Sequence, residues 1–242
     1  MTAFRLRPAL ASALLGAAVL ACAPVAAQPA ADVLLRAWAE GQERALRASP
    51  VVLAEDVERV VEGPRGDIVM NHRGTVRYAP GEPPEREVER VVVDGREVPA
   101  ERGGAVRRRL GRAFGPAGRE VEGPPPPALA AIGAAEPAGP VAADRVEGRG
   151  AWRVPLRLGR RGRGEAWFSS GPEPRLLRAR LEAGFRGGRV SRVTDYARHG
   201  GLDLPREVRT TATVRQRRRL RDYVVTVRSV GRYAPVEARG RR

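Results

Sequence analysis

The segment Leu177-Arg178-Ala179-Arg180-Leu181-Glu182-Ala183-Gly184-Phe185 decides the fold class. Apolar residues at 177, 179, 181, 183 and 185 alternate with Arg178, Arg180, Glu182 and Gly184. That is the period of two of a strand with one buried face. Gly187-Gly188 follows as a hairpin turn signal. Val190 to Tyr196 reads as the return strand, and its imperfect alternation predicts a bulge. The chain turns again at His199-Gly200-Gly201. Val208, Thr210, Ala212 and Val214 then share one face, with Glu207, Arg209, Thr211, Thr213 and Arg215 on the other. A polar turn from Gln216 to Arg219 leads to Tyr223, Val225 and Val227, which alternate with Val224, Thr226 and Arg228. From Trp167 to Tyr233 the sequence therefore predicts an antiparallel meander with one apolar face and one arginine-rich face. Such a sheet needs a partner layer for its apolar face, or a ligand that supplies one.

Upstream, Ala31 to Ala48 predicts a helix. Val33, Leu34, Ala37, Trp38, Gly41, Ala45 and Leu46 recur at spacings of three and four, Asp32 is placed to cap it, and Ser49-Pro50 stops it. Trp38 reads as a core anchor rather than a ligand contact, because an aromatic at helical spacing buries area. Val51 to Val61 reads as a strand, with Glu55, Asp56, Glu58 and Arg59 taken as its wet face. Asp67–Met70 and Thr75–Tyr78 read as hairpin arms around Asn71-His72-Arg73-Gly74. Val88 to Val93 is a further strand ending in the Asp94-Gly95 turn. Glu101 to Phe114 reads as a short basic helix. Gly115 to Ala143, with its tetraproline Pro124–Pro127, reads as a long stiff loop within one domain, with a short helix at Ala128–Ala135. Ala151 to Leu158 alternates again, and Pro155 predicts an edge position. After Gly159–Gly164, a basic turn, Glu165 to Ser169 is a short strand carrying Trp167 and Phe168.

The chain of 242 residues is long enough for a sizeable core. Its net charge is +16 and every one of its 44 basic residues is arginine. A polyanion partner would explain this charge. So would GC-rich coding, which raises Arg, Ala, Gly and Pro together and better fits an arginine excess spread over the whole chain. At 5% aromatic residues, few stacking platforms exist for single-stranded nucleic acid.

Arg5 and Arg7, the uncharged run Ala9–Ala21 and the small residues Val25-Ala26-Ala27 have the layout of a secretory signal peptide over residues 1–27, with cleavage after Ala27. Ala18-Val19-Leu20-Ala21-Cys22 also resembles a lipobox, in which Cys22 is the possible lipidation site and membrane contact follows. The later site is the better match, so export to the periplasm is expected. A membrane-anchored lipoprotein held through Cys22 is the alternative. Residues 237–242 are a basic tail.

No catalytic set stands out. The two histidines, His72 and His199, both fall in predicted turns and read as solvated loop residues. No cysteine beyond Cys22 exists to join a metal site, and no Gly-x-Ser-x-Gly elbow occurs. Glu55 and Asp56 are adjacent on one strand and point to opposite faces, so they are not a catalytic pair. No metal and no cofactor is expected, and no enzyme.

The order of export signal, Trp38 helix, antiparallel strands, long loop and meander resembles the LolA/LolB-like superfamily. Gly150-Ala151-Trp152, Glu165-Ala166-Trp167-Phe168-Ser169, Pro174-Arg175-Leu176-Leu177, Tyr196, Gly200-Gly201, Leu204-Pro205 and the closing strand Tyr223–Tyr233 carry the resemblance. It implies an α+β fold over residues 28–236, a curved antiparallel β-sheet forming an incomplete barrel with helices packed on its concave face. It also implies an exported, non-enzymatic envelope protein that binds a lipid or acylated protein in an apolar cavity. Trp38, Trp152, Trp167, Phe185, Tyr196 and Tyr223 are the candidate cavity or core residues. The alternatives are an arginine-rich binder of envelope polyanions, such as lipopolysaccharide, acidic lipid or nucleic acid, and an enzyme with an unrecognised site.

Overall fold

A computed structural model describes residues 28–47, 50–64, 66–79, 82–99, 104, 105, 108, 123–159, 162–185, 187–218 and 221–236. Residues 1–27, with the expected cleavage site Ala27 and Cys22, most of the segment Glu101–Phe114, residues 115–122 and residues 237–242 lie outside the described residues.

Helix α1 spans Ala31–Leu46. Strands β1 (Val51–Glu62), β2 (Ile68–Tyr78), β3 (Glu85–Val93) and β4 (Arg96–Val98) follow. A short helix, α2, covers Ala128–Ile132. The chain then runs through β5 (Glu136–Pro137), β6 (Ala142–Val146), β7 (Arg149–Leu158), β8 (Gly162–Ser169), β9 (Leu176–Phe185), β10 (Gly188–His199), β11 (Leu202–Arg218) and β12 (Arg221–Pro235). All twelve strands belong to one antiparallel sheet of order β4-β3-β2-β1-β12-β11-β10-β9-β8-β7-β5, with β6 also on β7. The sheet is curved and open, an incomplete barrel with helices on its concave face.

The sheet is two hairpin runs, β1–β4 and β7–β12, welded by a single long-range seam. That seam is β1 against β12, in register from Leu53 opposite Pro235 to Glu62 opposite Thr226. The meander expected from Trp167 to Tyr233 is present, and so is the bulge in its second strand, where the register shifts between Asp195 and Tyr196.

Several local expectations are corrected. Asn71 to Gly74 is not a turn: β2 runs straight through it, and the irregularity is a bulge against β3 at Arg73/Gly74. A Cβ at Gly74 would run into the Glu87 carbonyl, so the bulge demands glycine there. His72 is accordingly a buried strand residue, not a solvated loop residue. Glu55 and Arg59 are buried on the same face as Leu53, Val57 and Val61; only Asp56 and Glu58 point outward. Pro155 does not mark a sheet edge. It lies in the gap between the short partners β6 and β5, where its missing N–H leaves no bond unmade and its carbonyl accepts from Ala138 N at 2.9 Å. Strand β8 begins at Gly162, inside the stretch read as a turn. Asp32 does not cap α1; the cap position is Ala30, and Asp32 lies in the first turn, where its negative charge interacts favourably with the helix dipole.

Three apolar clusters line the concave face. The largest packs Leu34 and Trp38 of α1 and Ala128 and Ile132 of α2 on Val154, Leu156, Phe168 and Leu176. Trp38 meets Phe168 edge-on, ring centres 5.6 Å apart. A second gathers Leu53, Val76, Tyr78, Leu204, Val208 and Tyr233. The third, at the other end of the same strands, gathers Val61, Val190, Ala212, Val214 and Val227.

Candidate functional site: a polar row across the concave face

Between the second and third clusters the inward positions turn polar. Arg59 of β1 stands opposite Ser229 of β12, Ser229 opposite Thr210 of β11, and Thr210 opposite Arg192 of β10. All four are buried. The next row along is wholly apolar: Val61, Val227, Ala212 and Val190, paired in the same way. Antiparallel pairing places these side chains side by side on one face, so the concave surface is striped.

Buried charge lies beside the row toward β2 and β3, where His72 stands opposite Val57, one inward position along β1 from Arg59, and Glu55 is the next inward position. Glu55 and His72 have no solvent-exposed side-chain surface, and His72 Nε2 lies 3.4 Å from Glu55 Oε1. Arg86 Nε lies 2.7 Å from the same oxygen, as an ion pair rather than an aligned hydrogen bond. Neither Glu55 Oε2 nor His72 Nδ1 finds a hydrogen-bond partner among the described residues. Burial holds the His72 pKa below its ordinary value; the bond to Glu55 opposes that shift and the nearby Arg86 charge supports it. Burial also pushes the Tyr78 phenol well up and Tyr233 up to about 12, so both remain neutral donors.

The proline-rich strap Gly123–Pro127 crosses this centre. Tyr78 Oη donates to Pro125 O at 3.0 Å and Arg86 Nη2 to Gly123 O at 3.5 Å. Polyproline has free carbonyls and no N–H groups of its own, which suits it to sit on donors. Beneath the strap a cavity of about 20 Å³ is lined by Arg59, Arg86, Arg192, Thr210, Ser229 and Tyr233. That holds about one water molecule and nothing larger.

A second buried polar group fixes the helix over the sheet. Asp203 Oδ2 accepts from Trp38 Nε1 at 2.9 Å, Leu176 N at 2.9 Å and Gln42 Nε2 at 3.3 Å. Its Oδ1 accepts from Arg198 Nε at 3.1 Å, and its own N–H donates to Gln42 Oε1 at 2.8 Å. One carboxylate thus ties α1, β9, β10 and β11 together.

The six aromatic residues singled out in the sequence do not converge on one cavity. Trp38 and Tyr196 are buried in the first cluster, with Trp152 packed half-buried against it. Trp167 lies on the outer face and donates to Asp144 at 2.8 Å. Phe185 packs half-buried on the third cluster. Tyr223 is half-buried near the start of β12. Sequence reasoning missed Asp203, Glu55, Arg59, His72 and Arg192. Strand parity was the available signal: Leu53, Val57 and Val61 set the inward face of β1, and Glu55 and Arg59 share it.

No family model matches the chain, and no curated protein sequence does. Among solved structures the chain is similar to an outer-membrane lipoprotein-sorting protein domain from Vibrio parahaemolyticus, at 9% identity over 88% of this chain and 95% of that one, with a TM-score of 0.44. It is also similar to MucB in complex with MucA(peri), at 14% identity over 84% and 94% of the two chains and a TM-score of 0.18. The complex of MucA and MucB from Pseudomonas aeruginosa gives 12% identity over 84% and 94%, with a TM-score of 0.19. At such identities and TM-scores these likenesses say nothing about the polar row.

Proposed function

We propose that this is a non-enzymatic envelope protein that binds a lipid or acylated protein on its concave face. One observation carries the reading: a buried polar row, Arg59-Ser229-Thr210-Arg192, lies directly beside a buried apolar row, Val61-Val227-Ala212-Val190. A head-and-tail molecule needs that juxtaposition, with cations for an anionic head and aliphatic side chains for the acyl chain. The cavity under the strap is far too small for such a ligand as the face stands. Binding therefore requires the strap, held by Tyr78 and Arg86, to lift away. Glu55 and His72 form the nearest thing to an acid–base pair, yet both are sealed from solvent and Glu55 is engaged by Arg86. That arrangement suits a structural support for Arg86 better than proton transfer to a substrate.

Native mass spectrometry of protein purified from its own envelope tests the proposal. A co-purifying lipid or acylated species is expected, and Arg192→Leu should reduce binding of a fatty acid more than binding of the matching alcohol. Protein that carries nothing and fails to bind a fluorescent fatty-acid analogue would overturn it.

A further inference from the structure

A hollow much larger than the cavity under the strap lies on the opposite face, and the polar row has no part in it. It is an open groove of about 630 Å³ across β8–β11, floored by Ser191, Thr211 and Thr213 and flanked by Arg163, Arg180 and Arg189. A neighbouring hollow of about 380 Å³ toward β7 shares Arg163 and Arg180, so the guanidinium pair stands between two connected troughs. Glu182 aims both arginines: Arg163 Nη2 donates to its Oε2 at 3.0 Å and Arg180 Nη2 to its Oε1 at 2.7 Å. The two cations still present most of their surface, 84% and 52% of the side chain exposed. Arg189 makes no ion pair among the described residues. Gly184 keeps the trough open, since a Cβ there would meet nothing within 4 Å.

We infer that this groove is a binding surface for an anionic polysaccharide. Three arginines against two carboxylates, Glu182 and Glu165, leave an excess of positive charge that attracts sulfate, phosphate or uronate groups. The hydroxyl floor both donates and accepts, as a sugar's own hydroxyls do. No aromatic side chain lines the groove, which removes the stacking platform that a single-stranded nucleic acid uses. The elongated double trough suits a chain rather than a lone ion.

The test is titration of the purified protein with fluorescent dextran sulfate oligosaccharide at several salt concentrations. Uncharged dextran of equal length and a single-stranded oligonucleotide of equal charge serve as comparators. Saturable binding of the sulfated chain is expected, weakening steeply with salt, with none to dextran. Arg189→Ser should weaken it about three- to tenfold and lower the salt slope by about one. Gly184→Leu, which fills the trough at a position free of backbone strain, should weaken it without changing net charge. Both sites are exposed, so melting temperature should stay at the parent value. Absence of binding would overturn the inference. Binding unchanged in both variants would also overturn it, by assigning the attraction to the diffuse arginine excess. An oligonucleotide that binds as tightly would overturn the glycan assignment.

Discussion

Replacing Asp203 with alanine removes the acceptor on which four side-chain and backbone donors converge. Trp38 Nε1 and Leu176 N are left buried and unpaired at about 1–3 kcal/mol each. Gln42 keeps its bond from Asp203 N and loses only a long contact, while Arg198, part-exposed, recovers water. The expected loss is therefore about 3–5 kcal/mol, a large share of a typical domain's stability. A chain of this size should melt about 6–20 °C lower, at about 2–4 °C per kcal/mol. Asp203→Asn retains an acceptor of the same shape and should cost about 1–2 kcal/mol. Urea unfolding followed by tryptophan fluorescence measures both, and Trp38 reports directly on the lost bond. If Asp203→Ala unfolds within about 0.5 kcal/mol of the parent, with an unchanged slope against urea, the carboxylate is not what docks α1.

Acidification should weaken the fold through His72. Its folded pKa lies below the ordinary 6.5, so the unfolded chain takes the proton first and stability falls as pH drops through 6.5 toward the folded value. Urea midpoints at pH 7.5 and 5.5 should differ less in His72→Gln than in the parent, and equal differences would refute the assignment. Because β1 pairs with β12, residues 28–236 should melt in one transition; limited proteolysis that yields two halves, each melting cooperatively, would refute a single domain. Cys22→Ser should leave size and fractionation unchanged if cleavage follows Ala27, whereas a shift from membrane pellet to soluble fraction would make Cys22 a lipid anchor.

The meander was legible because its apolar residues keep a strict period of two over Leu177–Phe185 and Val208–Val214, and parity alone assigns a strand and its faces. The Asp195 bulge showed as a break in that parity. The seam between β1 and β12 was not legible, since residues about 170 positions apart carry no local signal of pairing. His72 was misread for a related reason. Asn71, Arg73 and Gly74 look like a turn by composition, but Gly74 serves the close approach of the Glu87 carbonyl across a bulge in a continuous strand. Glu55 and Arg59 were grouped with Asp56 and Glu58 because they are charged. Counting by parity would have put them inside, beside Leu53, Val57 and Val61.

That mistake points to what the fold tolerates. An inward strand position that is charged interrupts a core that Val or Leu would complete. A buried ion pair is often matched or exceeded in stability by well-packed apolar residues of similar volume, by about 1–4 kcal/mol. Four strands nevertheless present a polar residue at the same level of the register, and three of the polar side chains around it are arginines. One misplaced charge would be an accident of sequence; a row matched across β1, β12, β11 and β10 requires four inward positions to agree. Folding alone does not ask for this, since the neighbouring row Val61-Val227-Ala212-Val190 closes the sheet with aliphatic residues. The stripe gives up stability that a second aliphatic row would supply, and the proposed binding of a head-and-tail molecule would account for that cost. The strap above it, four prolines that cannot donate preceded by Gly123, meets the Tyr78 and Arg86 donors with backbone carbonyls.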